Sequence, residues 1–150
     1  MRENWKFSEL EYVRPDFQQV KENLKSYIKR GREADSFTAA LSAYTESENE
    51  INHLMMMYTL VYIRHTLDTS DKFYEEENEV FNEQFPTFGP ISVESGEALN
   101  ESKYRADFET KFGKQFFASI ELNKKSFSEK NIPLLQEEAK LTSEYQKMMA

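Results

Sequence analysis

Apolar residues recur at helical spacing from the first third of the chain onward. After Pro15, five apolar or aromatic side chains fall on one face of a helix: Phe17, Val20, Leu24, Tyr27 and Ile28. Asp16 is suited to cap the start of this helix, and Gln19 completes a box-like pair three residues later. Gly31 is expected to stop the helix, because glycine readily takes the left-handed conformation that closes a helix.

A second helical pattern begins at Asp35 or Ser36 and extends over about residues 36–65. Its periodic positions are Phe37, Ala40, Leu41, Tyr44, Ile51, Leu54, Met55, Tyr58 and Tyr62. From Ile51 onward the pattern is apolar on nearly every side, which predicts a long central helix surrounded by other elements. The run Met55-Met56-Met57 is accordingly interpreted as core filling.

Shorter helices are predicted beyond this point. A third helix starts near Ser70-Asp71 and is broken or kinked by Pro86, Gly89 and Pro90, so that residues 91–101 read as weak helix or ordered loop. Ser102 can cap the next helix, which ends at Gly113, and another helix carries Phe116, Phe117 and Ile120. The last helix starts between Ser128 and Pro133 and continues through Leu135, Ala139, Tyr145 and Met149.

Signals for strands are absent from this pattern. The chain has only 4 Gly and 4 Pro, no Asn-Gly or Asp-Gly turn and no sustained alternation of apolar and polar residues. Its 150 residues suffice for one domain with a sizeable core. We therefore predict an all-α, multi-helix bundle with a long central helix, no sheet, and residues 1–150 in a single domain.

Composition and charge narrow the functional classes. A net charge of −8 disfavours nucleic acid as a partner, since phosphates require a basic surface. The most apolar stretch, residues 51–63, is too short to span a membrane, and residues 1–6 lack the apolar core of a secretory signal. The absence of cysteine is compatible with a reducing, cytoplasmic location. The acidic run at residues 75–79 is interpreted as a solvated helix face.

Candidate catalytic and metal-binding groups are few. Glu50 and His53 have the spacing of half a di-iron site, but His65 has Tyr62 three residues before it, so the second half is missing. His-Glu-x-x-His and Gly-x-Ser-x-Gly do not occur in the sequence. We therefore assign no catalytic and no metal-binding residue, although a metal-binding bundle built on Glu50 and His53 stays open as a hypothesis. Arg64 is expected to pair with Asp68 or Asp71 in a structural turn.

Three segments, taken in order, suggest a family. They are residues 5–16 (WKFSELEYVRPD), residues 62–69 (YIRHTLDT) followed by Phe73-Tyr74 and Glu77-Asn78-Glu79, and residues 141–147 (LTSEYQK). In this order the whole chain resembles the N-terminal region of oligoendopeptidase F-like enzymes, in the thimet oligopeptidase family of zinc metallopeptidases. Only the break at Pro86, Gly89 and Pro90 departs from the long continuous helix that the resemblance leads us to expect.

The resemblance implies a larger cytoplasmic peptidase that cleaves short peptides in a channel between helical lobes. Zinc would be held there by His-Glu-x-x-His and a further Glu, all beyond residue 150, so this chain would be inactive alone and would wall or gate the channel. The partners implied are the remainder of the peptidase and its peptide substrates. Tyr145, Met148 and Met149, which precede no helix stop, are the expected interface with that remainder, and the isolated domain is expected to self-associate there. The alternative is a stand-alone acidic module that binds a protein partner.

Overall fold

The computed structural model describes residues 6–149, so Trp5 and the rest of the N-terminal segment lie outside the described residues. Within this range the chain forms helices and no strand, which confirms the all-α prediction. The α-helices are α1 (Phe17–Glu33), α2 (Phe37–Leu67), α3 (Lys72–Gln84), α4 (Gly89–Asn100), α5 (Arg105–Phe112), α6 (Lys114–Ser126) and α7 (Ile132–Met149), and the 3₁₀ turns are Phe7–Glu9, Phe85–Phe88 and Glu129–Asn131. No described helix combines the length and apolar character needed to cross a bilayer.

Helix α1 starts where the sequence predicts but ends later. The Asp16 side chain accepts a hydrogen bond from the Gln19 backbone N–H at 3.0 Å, although the Gln19 side chain donates to Asn23 instead of closing a capping box. Gly31 does not stop the helix, which continues to Glu33. The prediction was wrong because Gly31 keeps helical geometry where α1 packs against Ala43 of α2, and the Arg30–Glu46 ion pair at 2.7 Å holds the last turn to α2.

The long central helix is confirmed as α2, which has 31 residues and is roughly 46 Å long at about 1.5 Å per residue. Ser36 caps it by accepting a hydrogen bond from the Ala39 backbone N–H at 3.2 Å. The expectation that other elements surround its second half is wrong. Met57 is buried, whereas Met55 and Met56 are exposed, because within residues 6–149 the neighbouring helices cover only part of its circumference.

The prolines between α3 and α4 coincide with a 3₁₀ turn that joins the two helices without an intervening loop. Pro86 lies early in the 3₁₀ turn and Pro90 early in α4, where a missing N–H costs no intrahelical hydrogen bond. Residues 89–100 are therefore helical, which replaces the expected weak helix or loop. The aromatic ring of Phe127 packs directly on Gly89, where any Cβ would lie 2.1 Å from the ring. Glycine at this position lets the end of α6 approach the start of α4.

Two clusters of buried residues hold the helices together. The larger joins α1, α2, α3 and α4 through Phe17, Val20, Leu24, Ile28, Leu54, Met57, Leu60, Val61, Phe81 and Ile91. The smaller joins the α1–α2 corner to α5 and α6 through Ala34, Ala40, Phe108 and Phe117. Gly113 separates α5 from α6 with φ of 85°, as its predicted role as a helix stop requires. Helix α7 contributes to neither cluster.

Candidate functional site

Glu50 and His53, which the sequence left open as half of a metal site, do not lie in a cluster of metal ligands. Glu50 accepts a hydrogen bond from the side-chain amide of Asn23 at 3.1 Å, and His53 is exposed on α2. His65 is buried twelve residues further along the same helix, roughly 18 Å away at about 1.5 Å per residue. No group of three or more potential ligands that could hold a metal ion occurs within residues 6–149. Within the described residues, the carboxylates and histidines therefore form no ligand cluster that fits a zinc ion.

The acidic run on α3 is a solvated face only in part: Glu76 and Glu79 are exposed as predicted, whereas the middle of the run is not. Glu77 and Asn78 are buried, with exposed fractions of 2% and 4%. Tyr12 donates a hydrogen bond to the Glu77 carboxylate, and Arg14 Nε lies 3.0 and 3.1 Å from its two oxygens. The hydrogen bonds from Arg14 hold the pKa of Glu77 below its usual value. Burial is tolerated because both carboxylate oxygens have donors.

Arg64 has partners other than those predicted. Its guanidinium donates to the Tyr74 hydroxyl and to the Leu10 carbonyl, both at 2.6 Å. Asp68 and Asp71, the predicted partners, instead accept hydrogen bonds from Ser70 and from the first turn of α3, respectively. Arg64 therefore fastens the extended segment before α1 to α2 and α3, next to the Glu77 contacts. The hydrogen bonds of this cluster join segments of the same chain, which gives it a structural role.

Helix α7 presents its apolar residues away from the helices that it touches. The predicted interface residues Tyr145, Met148 and Met149 are 58%, 77% and 71% exposed, and Leu134 and Leu141 on the same helix are exposed as well. The only buried residue of α7 is Ser143. Consequently α7 carries a large apolar surface that nothing in residues 6–149 covers.

Polar contacts position α7 on α3. Ser143 accepts a hydrogen bond from the Asn78 amide at 3.3 Å, and the Gln136 side chain donates to the Glu83 carbonyl at 2.7 Å. Lys147 pairs with Glu75 and lies 3.7 Å from Glu79. Hydrogen bonding to Glu75 raises the pKa of Lys147. These contacts fix the orientation of α7 while leaving its apolar face exposed.

A groove separates α7 from α2, with α3 as its floor. Tyr58 and Tyr62 of α2 form one wall, and Leu135, Ala139, Thr142 and Gln146 of α7 form the other. The exposed residues Ile51 and Met55 extend the α2 wall at spacings of four, seven and eleven residues, as one stripe. The periodicity of this stripe is visible in the sequence, where it predicts a core position instead of an exposed one. Nothing in the spacing of one helix shows which of its apolar stripes a neighbour covers.

Comparison of the chain with known protein families and solved structures identifies the class of protein. Residues 7–127 match the family model of the peptidase M3 N-terminal domain, and the chain belongs to this family. It is 36% identical to PZ peptidase A, solved with an inhibitor, with a TM-score of 0.88 over 93% of this chain and 25% of that one. A chain assigned as oligoendopeptidase F from Bacillus anthracis str. Ames is 32% identical, with a TM-score of 0.88 over 92% of this chain and 25% of that one. Another oligoendopeptidase F chain is 35% identical, with a TM-score of 0.89 and coverage of 93% and 25%.

The family resemblance inferred from the sequence is thus confirmed. The chain spans about a quarter of the length of these solved structures. None of the curated proteins with which the chain was compared matches it. Helix α7 lies beyond the matched residues 7–127, so the helix with the exposed apolar face follows the family domain in sequence.

Proposed function

We propose that residues 1–150 are a single N-terminal domain of an oligoendopeptidase F-like zinc peptidase that cleaves short peptides in the cytoplasm. Family membership supports the class of enzyme, and the exposed apolar face of α7 is the observation that carries the role of the chain within it. Contiguous exposed apolar residues mark a surface that contacts further protein. The domain then walls the substrate channel, and the zinc site lies in the remainder of the enzyme.

Zinc would supply the hydrolytic chemistry of such an enzyme by activating a water molecule. The residues of this chain contribute structure instead of chemistry. The ion pair of Arg14 with Glu77 and the bonds of Arg64 make the junction of the N-terminal segment, α2 and α3 rigid. Rigid helices on one side of a channel set its width, and the width decides which peptides enter. The domain thus restricts access and takes no part in bond cleavage.

The gene sequence beyond codon 150 and assays of the full-length protein test this proposal together. We expect the gene to continue past codon 150 and to encode His-Glu-x-x-His several hundred codons later. The purified full-length protein should contain one zinc ion per chain, should cleave quenched fluorescent peptides of about ten residues, and should leave a folded protein intact. A frame without that motif, or a zinc-free protein without peptidase activity, would overturn the assignment.

A variant of the full-length enzyme tests the interface. Replacing Met148 by Asp places a charge in the proposed contact and should lower the stability of the whole enzyme by about 2 kcal/mol or more. The matched control is Leu67→Asp, an equally exposed apolar position at the end of α2. Equal stability of both variants would show that the remainder of the chain does not cover Met148.

The same face leads us to propose that the 150-residue chain self-associates through Tyr145, Met148 and Met149. Light scattering should show a mass that rises with concentration, and Met148→Asp should return it to the monomer mass. A monomer at every concentration would refute self-association. The alternative function, a stand-alone acidic module, would be favoured by a monomeric fold with no exposed apolar face near Met148, and Met148 is exposed in the structure.

A further inference from the structure

Helix α1 holds one of its lysines, Lys21, against the junction of α3 and α4. The Lys21 Nζ lies 5.0 Å from the centroid of the Phe88 ring and 3.4 Å from the side-chain oxygen of Gln84. Gln84 ends α3, and Phe88 ends the 3₁₀ turn that follows it. Lys21 is half-buried in this position, so its amino group faces an aromatic ring and a neutral amide.

No carboxylate in the described part of the chain balances the charge of Lys21. Glutamates form ion pairs with Lys72, Lys124 and Lys147, whereas neither an aspartate nor a glutamate pairs with Lys21. A neighbouring charge on the same face of α1 is that of Lys25, one helical turn away, and it has the same sign. Burial and, to a smaller extent, the charge of Lys25 lower the pKa of Lys21. More of Lys21 is therefore in the neutral amine form than in an exposed lysine at the same pH.

We propose that Lys21 is a site of covalent acylation by acyl phosphates. A lysine that is desolvated, or that lies beside another cation, is the better nucleophile because its amine is more readily deprotonated. Lys21 meets both conditions and is only half-buried, so a small reagent reaches the amine. The positive charge of Lys25 also attracts the phosphate of such a reagent to this part of α1. The reaction is separate from the proposed hydrolysis of peptides and needs no zinc.

The reaction is an acyl transfer without oxidation or reduction. The neutral Nζ of Lys21 attacks the carbonyl carbon of the acyl phosphate, a C–N bond forms, and the bond from that carbon to the phosphate oxygen breaks. Phosphate leaves with the bonding electron pair, and the nitrogen loses a proton to solvent. The product is an uncharged amide, so the attraction between a cation and the Phe88 ring is lost. The amide keeps one N–H, which suffices for the hydrogen bond to Gln84.

The rate of acetylation at each lysine tests the proposal. The 150-residue chain is exposed briefly to acetyl phosphate, and mass spectrometry measures the modified fraction at every lysine. Lys21 should react at least about threefold faster than Lys25, the exposed lysine one turn further along α1. Lys147 should react more slowly than either, because its hydrogen bond to Glu75 raises its pKa.

Two substitutions at Lys25 separate its charge from its place in the helix. Lys25→Gln removes the like charge beside Lys21 and should slow acetylation of Lys21 by about twofold, since like charges four residues apart repel only weakly. Lys25→Arg keeps the charge and should leave that rate unchanged. Lys25 is exposed, so both variants are expected to fold as the wild type does.

Unfolding the chain provides the remaining control. In concentrated urea, Lys21, Lys25 and Lys147 should react at similar rates, because the folded surroundings produce the difference between them. The proposal would be overturned if Lys21 reacted no faster than Lys25 in the folded chain, since the Phe88 ring would then hold the amine in its ammonium form. It would also be overturned if the advantage of Lys21 survived in urea, because its neighbours in sequence would then be the cause.

Discussion

Helices α1 and α7 are of similar length, and each carries an apolar stripe, yet the two stripes face opposite environments. In α1, Phe17, Val20, Leu24 and Ile28 are all buried against α2 and its neighbours. In α7, Leu134, Leu141, Tyr145 and Met148 are exposed, and the polar Ser143 faces the body of the molecule. Periodicity thus identifies a helix and its apolar face, while the structure alone shows whether that face is covered.

The difference between α1 and α7 separates a helix that builds the core from a helix that lies outside it. Burial of the α1 stripe stabilises the fold at roughly 25 cal/mol per Å² of apolar surface, whereas the α7 stripe contributes no such energy within residues 6–149. Polar contacts at Asn78, Glu75 and Glu83 orient α7 instead. A helix held in this way has a stable position and a free apolar surface, which suits an element that joins the domain to further protein.

A matched pair of leucine substitutions gives the largest expected difference between the helices. Leu24 is 3% exposed in α1 and Leu141 is 57% exposed in α7. Leu24→Ala should lower the free energy of unfolding by about 2–5 kcal/mol, because it leaves a cavity in the main core. Leu141→Ala should change it by less than about 0.5 kcal/mol. Urea unfolding followed by circular dichroism measures both, and equal losses would show that α7 is buried in solution.

The buried carboxylate of Glu77 gives the next largest effect. Glu77→Gln should cost about 1–3 kcal/mol near neutral pH, because the charged hydrogen bonds from Arg14 are lost. The exposed neighbour Glu76 is the control, and Glu76→Gln should change stability by less than about 0.5 kcal/mol. Urea unfolding at about pH 7 measures both, and equal losses would refute a special role for the buried carboxylate.

The same pair predicts a pH dependence. Since the folded protein holds the pKa of Glu77 below its ordinary 4.5, the stabilisation is fully present above about pH 4.5 and is lost as pH falls through the lower folded value. The difference in stability between the wild type and Glu77→Gln should therefore shrink on acidification. A difference that stays constant down to about pH 3 would exclude the Arg14 contact as its source.

The sequence predicts helices well here and burial less well, for physical reasons that differ between residues. The predicted cap at Asp16 and the predicted helix starts near Ser36 and Asp71 depend on local interactions, and all three are observed. Arg14, which pairs with Glu77, and the Leu10 carbonyl, which accepts from Arg64, each lie more than fifty residues away along the chain, so composition suggested a solvated face for Glu77 and a local pair for Arg64. The residues of the predicted interface at the end of α7 are exposed, and the interface itself stays a prediction. The exposed α2 stripe was missed because its spacing equals that of a buried stripe.

Replacing each of two glycines by alanine tests how closely the neighbouring helix approaches at that position. A Cβ on Gly96 of α4 would lie 2.7 Å from Ile120 of α6, so Gly96→Ala should destabilise the protein by about 1–2 kcal/mol despite the better helix propensity of alanine. At Gly31 the nearest atom would be 4.0 Å away, so Gly31→Ala should stabilise it by about 0.5–1 kcal/mol. Thermal unfolding separates the two signs, and destabilisation by Gly31→Ala would show that α1 ends at Gly31 after all.

The smallest expected effect concerns the polar contacts that hold α7 on α3. Lys147→Ala removes the pairing with Glu75 and Glu79 and should cost only about 0.5–1 kcal/mol, since these side chains are partly exposed. The loss should appear mainly as faster hydrogen exchange along α7, because α1 keeps its apolar contacts when α7 loosens. About 1 M salt should reproduce the faster exchange in the wild type by screening the ion pair.

Lys140→Ala, at an exposed position of the same helix, is the control and should leave hydrogen exchange unchanged. If exchange accelerated equally in α1 and α7, the two helices would unfold together and α7 would belong to the core in spite of its exposed apolar face.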